Sequence, residues 1–201
     1  LELPSFPTII GYIREKNQQI GLQAFIPYIN TSGTKMEDVT IALDNQDDQL
    51  GLSISLLNHL PKNNPTAAKL GDIKAKIYLN AQDDELDLLV NLGNTDSVRN
   101  EGVIHAISKL STYNNQSQLD IQILPSNFIL NDSAWSIGQS TITYIPTNKL
   151  VKINDFALNT EYQSITINGR GSELATDSLN IALQNINLDY LLSYTEANKA
   201  I

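Results

Sequence analysis

"IKAKIYLNAQDDELDLLVNL", residues 73–92, alternates apolar and polar side chains on both sides of an acidic turn. Ile73, Ala75, Ile77 and Leu79 share one parity, and Lys74 and Lys76 the other; beyond the turn, Leu86, Leu88, Val90 and Leu92 oppose Asp87 and Asn91. Successive side chains of a strand project to opposite faces. Two such runs joined by polar residues therefore predict a hairpin with one apolar and one wet face.

The pattern extends in both directions. Upstream, "IGLQAFIPYI" reads as an extended stretch entering the sheet, and "VTIALD" turns through "NQDDQ" into "LGLSISLL". Downstream come "VIHAISKL", "QLDIQIL", "STITYI", "LVKI", "SITING" and "LNIALQNINL". Leu119, Ile121 and Ile123 oppose Asp120 and Gln122, and Leu179, Ile181 and Leu183 oppose Asn180. The expected fold is all-β: a mostly antiparallel sheet curled into an elongated groove or closed as a sandwich, with short helices near both ends.

The first helix is expected in "PSFPTIIGYIREKNQQ" (4–19), with Pro7 in its first turn, Ser5 or Thr8 as cap, and Ile9, Ile10 and Ile13 on one side. The second is expected in "LDYLLSYTEANKA" (188–200), where Leu188, Leu191 and Leu192 follow an Asn187 or Asp189 cap. Two prolines make "LPKNNPTAAKLG" (60–71) a loop. We read residues 1–201 as a single β-rich segment of a larger protein: 1–30 a helix and opening strand, 31–118 hairpin strands, 119–201 a final repeat region. The start at Leu1 rather than Met fits an excised piece. No apolar run of about 18 to 20 residues is present to span a bilayer.

Composition narrows function. With 41% hydrophobic and 17% charged residues the chain is expected to fold. It has no cysteine, hence no disulfide, thiolate metal site or thiol nucleophile. A net charge of −9 repels phosphate backbones and anionic headgroups, so nucleic acid is not an expected partner.

Motifs for chemistry are lacking. The acidic turns "DNQDDQLG" and "NAQDDELD" invite calcium, but Gln46 and Gln49 stand where an EF-hand needs a ligand and a glycine. We read them as solvated hairpin turns. The two histidines, His59 in a polar loop beside Pro61 and His105 inside a strand, belong to no nucleophile elbow or zinc helix motif. "NGRGSE" (168–173) lacks the residues of a dinucleotide or P-loop fingerprint and reads as a turn using Gly169 and Gly171 for positive φ. The expectation is a non-enzyme with no catalytic residue, metal or cofactor. The sequons at Asn30, Asn115 and Asn131 are expected by chance in so Asn-rich a chain.

From Leu119 to Tyr194 the chain carries a series of short motifs. "LNDSAWSI", "LVKINDFAL", "QSITINGRGS" and "DSLNIALQNINLDYLLSY" follow one another, with Gly169 closing a strand and Ser172 after it. This series resembles repeats of the TamB/AsmA-like superfamily, more narrowly the large translocation and assembly module proteins of Bacteroides-type bacteria. Upstream, "LQAFIPYI" is similar to a looser run of that family. The resemblance implies a periplasmic β-structure anchored in the inner membrane, supporting outer-membrane biogenesis and protein secretion. Its apolar trough would conduct phospholipid acyl chains, with an outer-membrane barrel assembly factor as partner.

Under that reading the groove candidates are Ile121, Ile123, Ile142, Tyr144, Ile165, Ile167, Leu179, Ile181 and Leu183, provided all these faces point the same way. The alternative is a periplasmic or surface β-sandwich binding a glycan or protein, with Trp135, Tyr144 and Tyr162 exposed near one end for a sugar to stack on. Alternation within single strands is identical in the two cases.

Overall fold

The computed structural model describes residues 6–31, 34–46, 48–59, 72–94, 98–130, 132–173 and 176–186. They form fourteen strands of one antiparallel sheet. In chain order these are β1 (Thr8–Arg14), β2 (Gln19–Thr31), β3 (Thr34–Gln46), β4 (Gln49–His59), β5 (Ile73–Gln82), β6 (Glu85–Asn94) and β7 (Glu101–Tyr113). There follow β8 (Gln116–Ile123), β9 (Ser126–Leu130), β10 (Ser133–Ile137), β11 (Ser140–Ile145), β12 (Leu150–Asn159), β13 (Ser164–Gly171) and β14 (Leu179–Gln184).

Register reduces this set to a simple meander. Ser140 of β11 lies opposite Ile123 of β8, and Ile137 of β10 opposite Ser126 of β9, in one unbroken register. β12 also meets both β11 (Thr141 opposite Asn154) and β10 (Ile137 opposite Leu158) without a shift. Between them Gly138 N–H donates to the Ala157 carbonyl at 2.9 Å. β8 with β9, and β10 with β11, are thus each one line of chain broken at Leu124–Pro125 and at Gly138–Gln139. Fourteen strands with two collinear pairs make twelve lines, each neighbouring the next.

Turn chemistry accounts for the tight reversals. Asn114 and Asn115, at φ 50° and 59°, form a two-residue turn between Tyr113 and Gln116. Positive φ at both central positions matches the right-handed strand twist, and asparagine tolerates that conformation. Asp83 (φ 52°) and Asp84 turn β5 into β6 between Gln82 and Glu85.

The expected amino-terminal helix is instead β1. Ile9 and Ile13 take one face and Ile10 the other, with β1 paired to β2 from Thr8–Phe25 to Arg14–Gln19. A helix this short is marginal alone, β-branched isoleucines favour extended backbone, and the ladder to β2 satisfies the backbone groups on that side. Only a 3-10 turn follows, Glu15–Asn17, closed by Gln18 in the left-handed region. A matching one, Pro146–Asn148, is closed by Lys149. Among the described residues there is no α-helix, and hence none able to cross a membrane. The 60–71 loop and the carboxy-terminal helix fall outside the described residues.

Two further readings are corrected. His59 is the last residue of β4 rather than part of a loop. Gly169 and Gly171 lie within β13 rather than in a turn. Gly169 alone has positive φ, 130°, and a Cβ there would sit 2.3 Å from the Ser178 carbonyl oxygen.

Candidate functional site

Directly opposed residues of an antiparallel pair project from the same face, so register tests whether the nine groove candidates converge. Ile121 opposes Ile142, and Leu119 opposes Tyr144. Ile142 and Tyr144 in turn oppose Ile153 and Val151. On the next pairing Ile153 meets Gly169, Phe156 meets Ile167 and Leu158 meets Ile165. Leu179, Ile181 and Leu183 oppose Gly169, Ile167 and Ile165. All nine stand on one face.

A bulge makes this convergence work. β12 holds one residue more than β13 between Ile153 and Phe156. Asp155 takes φ 56°, and its N–H donates to Asn168 Oδ1 at 2.6 Å. A bulged residue shifts the parity of everything after it. Breaks at Gly138–Gln139 and Leu124–Pro125 keep the neighbouring lines in step, so three adjacent lines change parity together.

The face continues far beyond the nine residues. Ile123 opposes Ala106, Ala106 opposes Leu88, and Leu88 opposes Leu79. Leu79 opposes Leu52, Leu52 opposes Leu43, and Leu43 opposes Leu22. Ala24 and Ile20 reach Ile9 and Ile13 on the first strand. The same aliphatic stripe therefore crosses every line of the sheet. Phe128, Trp135, Ile137, Phe156 and Leu158 also belong to it. Plain alternation counted back from Ile142 misses Ile137, because the parity break intervenes.

No second sheet covers this face among the described residues, since every strand belongs to the one sheet. Buried hydrophobic residues there are only Ala24, Val39, Ala106, Trp135 and Ile137. Ile13 at one end is 76% exposed and Ile181 at the other 59%. A closed sandwich core would bury these side chains.

The opposite face carries internally bonded polar clusters beside the exposed Phe25, Tyr78 and Val103. Asp120 accepts from Thr143 Oγ1 at 2.8 Å and from Gln118 Nε2 at 2.7 and 2.9 Å. His105 Nε2 lies 2.7 Å from Asp87 Oδ1. His59 bridges Glu37, at 2.8 Å from Nε2, and Asp72, at 2.7 Å from Nδ1. The hydrogen bond to Glu37 foremost, and that to Asp72 with both charges, hold the His59 pKa above its ordinary value against some desolvation. Lys35 foremost, then His59, hold the Glu37 carboxyl below the usual range.

The three aromatics of the glycan reading do not assemble. Trp135 is 8% exposed and stacks on Phe128, centroids 6.4 Å apart and planes 6° from parallel. Tyr144 lies nine positions away along the same line, about 30 Å at strand spacing. Tyr162 is exposed beyond the end of β12. Neither protein-family models, nor curated proteins, nor solved structures give a match to this chain.

Proposed function

We propose that this chain is a segment of an envelope-spanning periplasmic protein that conducts phospholipid along its apolar sheet face. The full-length protein would be anchored in the inner membrane, deliver to an outer-membrane barrel assembly factor, and support outer-membrane biogenesis without catalysis. The observation that carries this reading is the aliphatic stripe crossing every line of a single sheet, with no second sheet over it among the described residues. An all-β sheet with one apolar face is the kind of structure that the TamB/AsmA-like resemblance of residues 119–194 implies.

Burying methylenes contributes about 0.8 kcal/mol each, so an acyl chain of about 14 has on the order of 11 kcal/mol available as an upper bound. Ile and Leu walls suffice for that. Phospholipid carrying a photoreactive acyl chain tests the proposal. Adducts should map to the Ile121, Ile142, Ile167 and Ile181 face and disappear in Ile181→Asp, whose melting transition stays in place. Absence of adducts, or adducts confined to the polar face around Asp120 and His105, would overturn it.

A further inference from the structure

We infer that the face opposite the aliphatic stripe binds a linear polyamine, in a transverse cleft that runs from Glu101 to Glu161. The cleft is a cavity of about 480 Å³ crossing β7, β9, β10 and the end of β12, within the size range of small-ligand sites. Its floor is the backbone of Gly102, Phe128 and Trp135, which oppose one another, and the two aromatic rings lie on the stripe face beneath.

The residues on either side of that floor supply two walls. Asn127, Ser136 and Asn159 oppose one another in series and form the inner wall. Glu101, Ile129 and Ala134 form the outer wall in the same way, and Glu161 completes it at the far end. The two glutamates are the only charged residues lining the cavity. Three strand spacings separate them, about 14 Å.

That separation selects the ligand. Carboxylates so far apart cannot share the coordination sphere of one metal ion, and both repel an anion. They suit two ammonium groups on one alkyl chain, with its methylenes over Ile129 and Ala134 and a central ammonium donating to the amide oxygens of Asn127 and Asn159. Exposed ion pairs are weak singly, so linkage of two on one molecule is what gives affinity. At one end the Tyr162 hydroxyl donates to Glu161 Oε1 at 2.6 Å. The Tyr162 ring, 71% exposed, borders an adjoining cavity of about 420 Å³ and offers an ammonium its aromatic face. At the other, Arg99 approaches Glu101 to 3.8 Å but is shared with Asp132 at 3.7 Å.

This site is tested without lipid, so its failure leaves the conduit reading standing. Isothermal calorimetry with spermidine should show one site per chain, and the monoamine butylamine should not bind. Glu101→Gln and Glu161→Gln should each weaken spermidine by about three- to tenfold. Together they should abolish binding, with the melting transition in place because both side chains are exposed. Asp83→Asn with Asp84→Asn removes as much charge from the β5–β6 turn and should leave binding unchanged. There the Asp84 carbonyl accepts from Leu110 N–H, nine positions along β7 from Glu101. No heat with spermidine, equal binding of butylamine, undiminished binding by the double glutamine variant, or equal loss in the aspartate variant (attraction to the net charge of −9 alone) would each overturn it.

Discussion

Ile137 and Ile142 stand an odd number of positions apart yet project from the same face. Ile137 opposes Leu158 and Ile142 opposes Ile153 on β12. Those two meet Ile165 and Gly169 on β13, where alternation is unbroken. The parity break at Gly138–Gln139 is what keeps both isoleucines on the aliphatic stripe.

Ile137 and Ile181 should therefore answer differently to the same change. Ile137→Asp places an unpaired carboxylate at a site 8% exposed, costing several kcal/mol, and should unfold a marginally stable domain. Ile181→Asp leaves its carboxylate in water and should melt close to the parent. Equal melting temperatures for the two variants would show that the stripe is not differentially covered.

Gly169→Ala should destabilise the pairing of β13 with β14. Its positive φ and the 2.3 Å approach of the Ser178 carbonyl both oppose a Cβ. A loss of about 1–3 kcal/mol is expected. For a chain of this length each kcal/mol lowers the midpoint by about 2–4 °C, read directly in a thermal melt.

Gly102→Ala should disturb Trp135. A Cβ at residue 102 would lie 2.1 Å from Phe128 Cβ, and Phe128 carries the Trp135 stack. Since Trp135 is the only tryptophan, its emission should shift to the red as the stack loosens. An unchanged spectrum in a folded variant would refute the coupling.

The His59 bridge gives stability a definite pH profile. Its folded pKa is raised, so its contribution is fully present below the ordinary value of 6.5 and is lost as pH rises through the higher folded value. Glu37 is lowered, so its contribution is present above its ordinary 4.5 and is lost as pH falls through the folded value. Urea unfolding across this range should show both limbs. His59→Gln should flatten the upper one, and a parent and variant with parallel profiles would rule the bridge out as its source.

Much of this molecule was decided locally. Period two in residues 73–92 is a property of neighbouring side chains, and it specified strands, their apolar faces and a turn within residues 80–84 before any contact was known. It also placed the nine groove candidates on faces that prove to be one.

Tertiary structure decided what depends on a partner strand. Residues 8–14 have the composition of either a short helix or a strand, and the ladder to β2 selects the strand because it satisfies backbone groups a marginal helix would leave frayed. Register across Gly138, Pro125 and Asp155 is set by cross-strand pairing, so no count along one strand brings Ile137 and Phe156 to the stripe. The burial of Trp135 against Phe128, and the exposure of Ile13 and Ile181, likewise follow from which strands neighbour which. An alternating strand reads the same whether its apolar face is covered or open; only its neighbours decide.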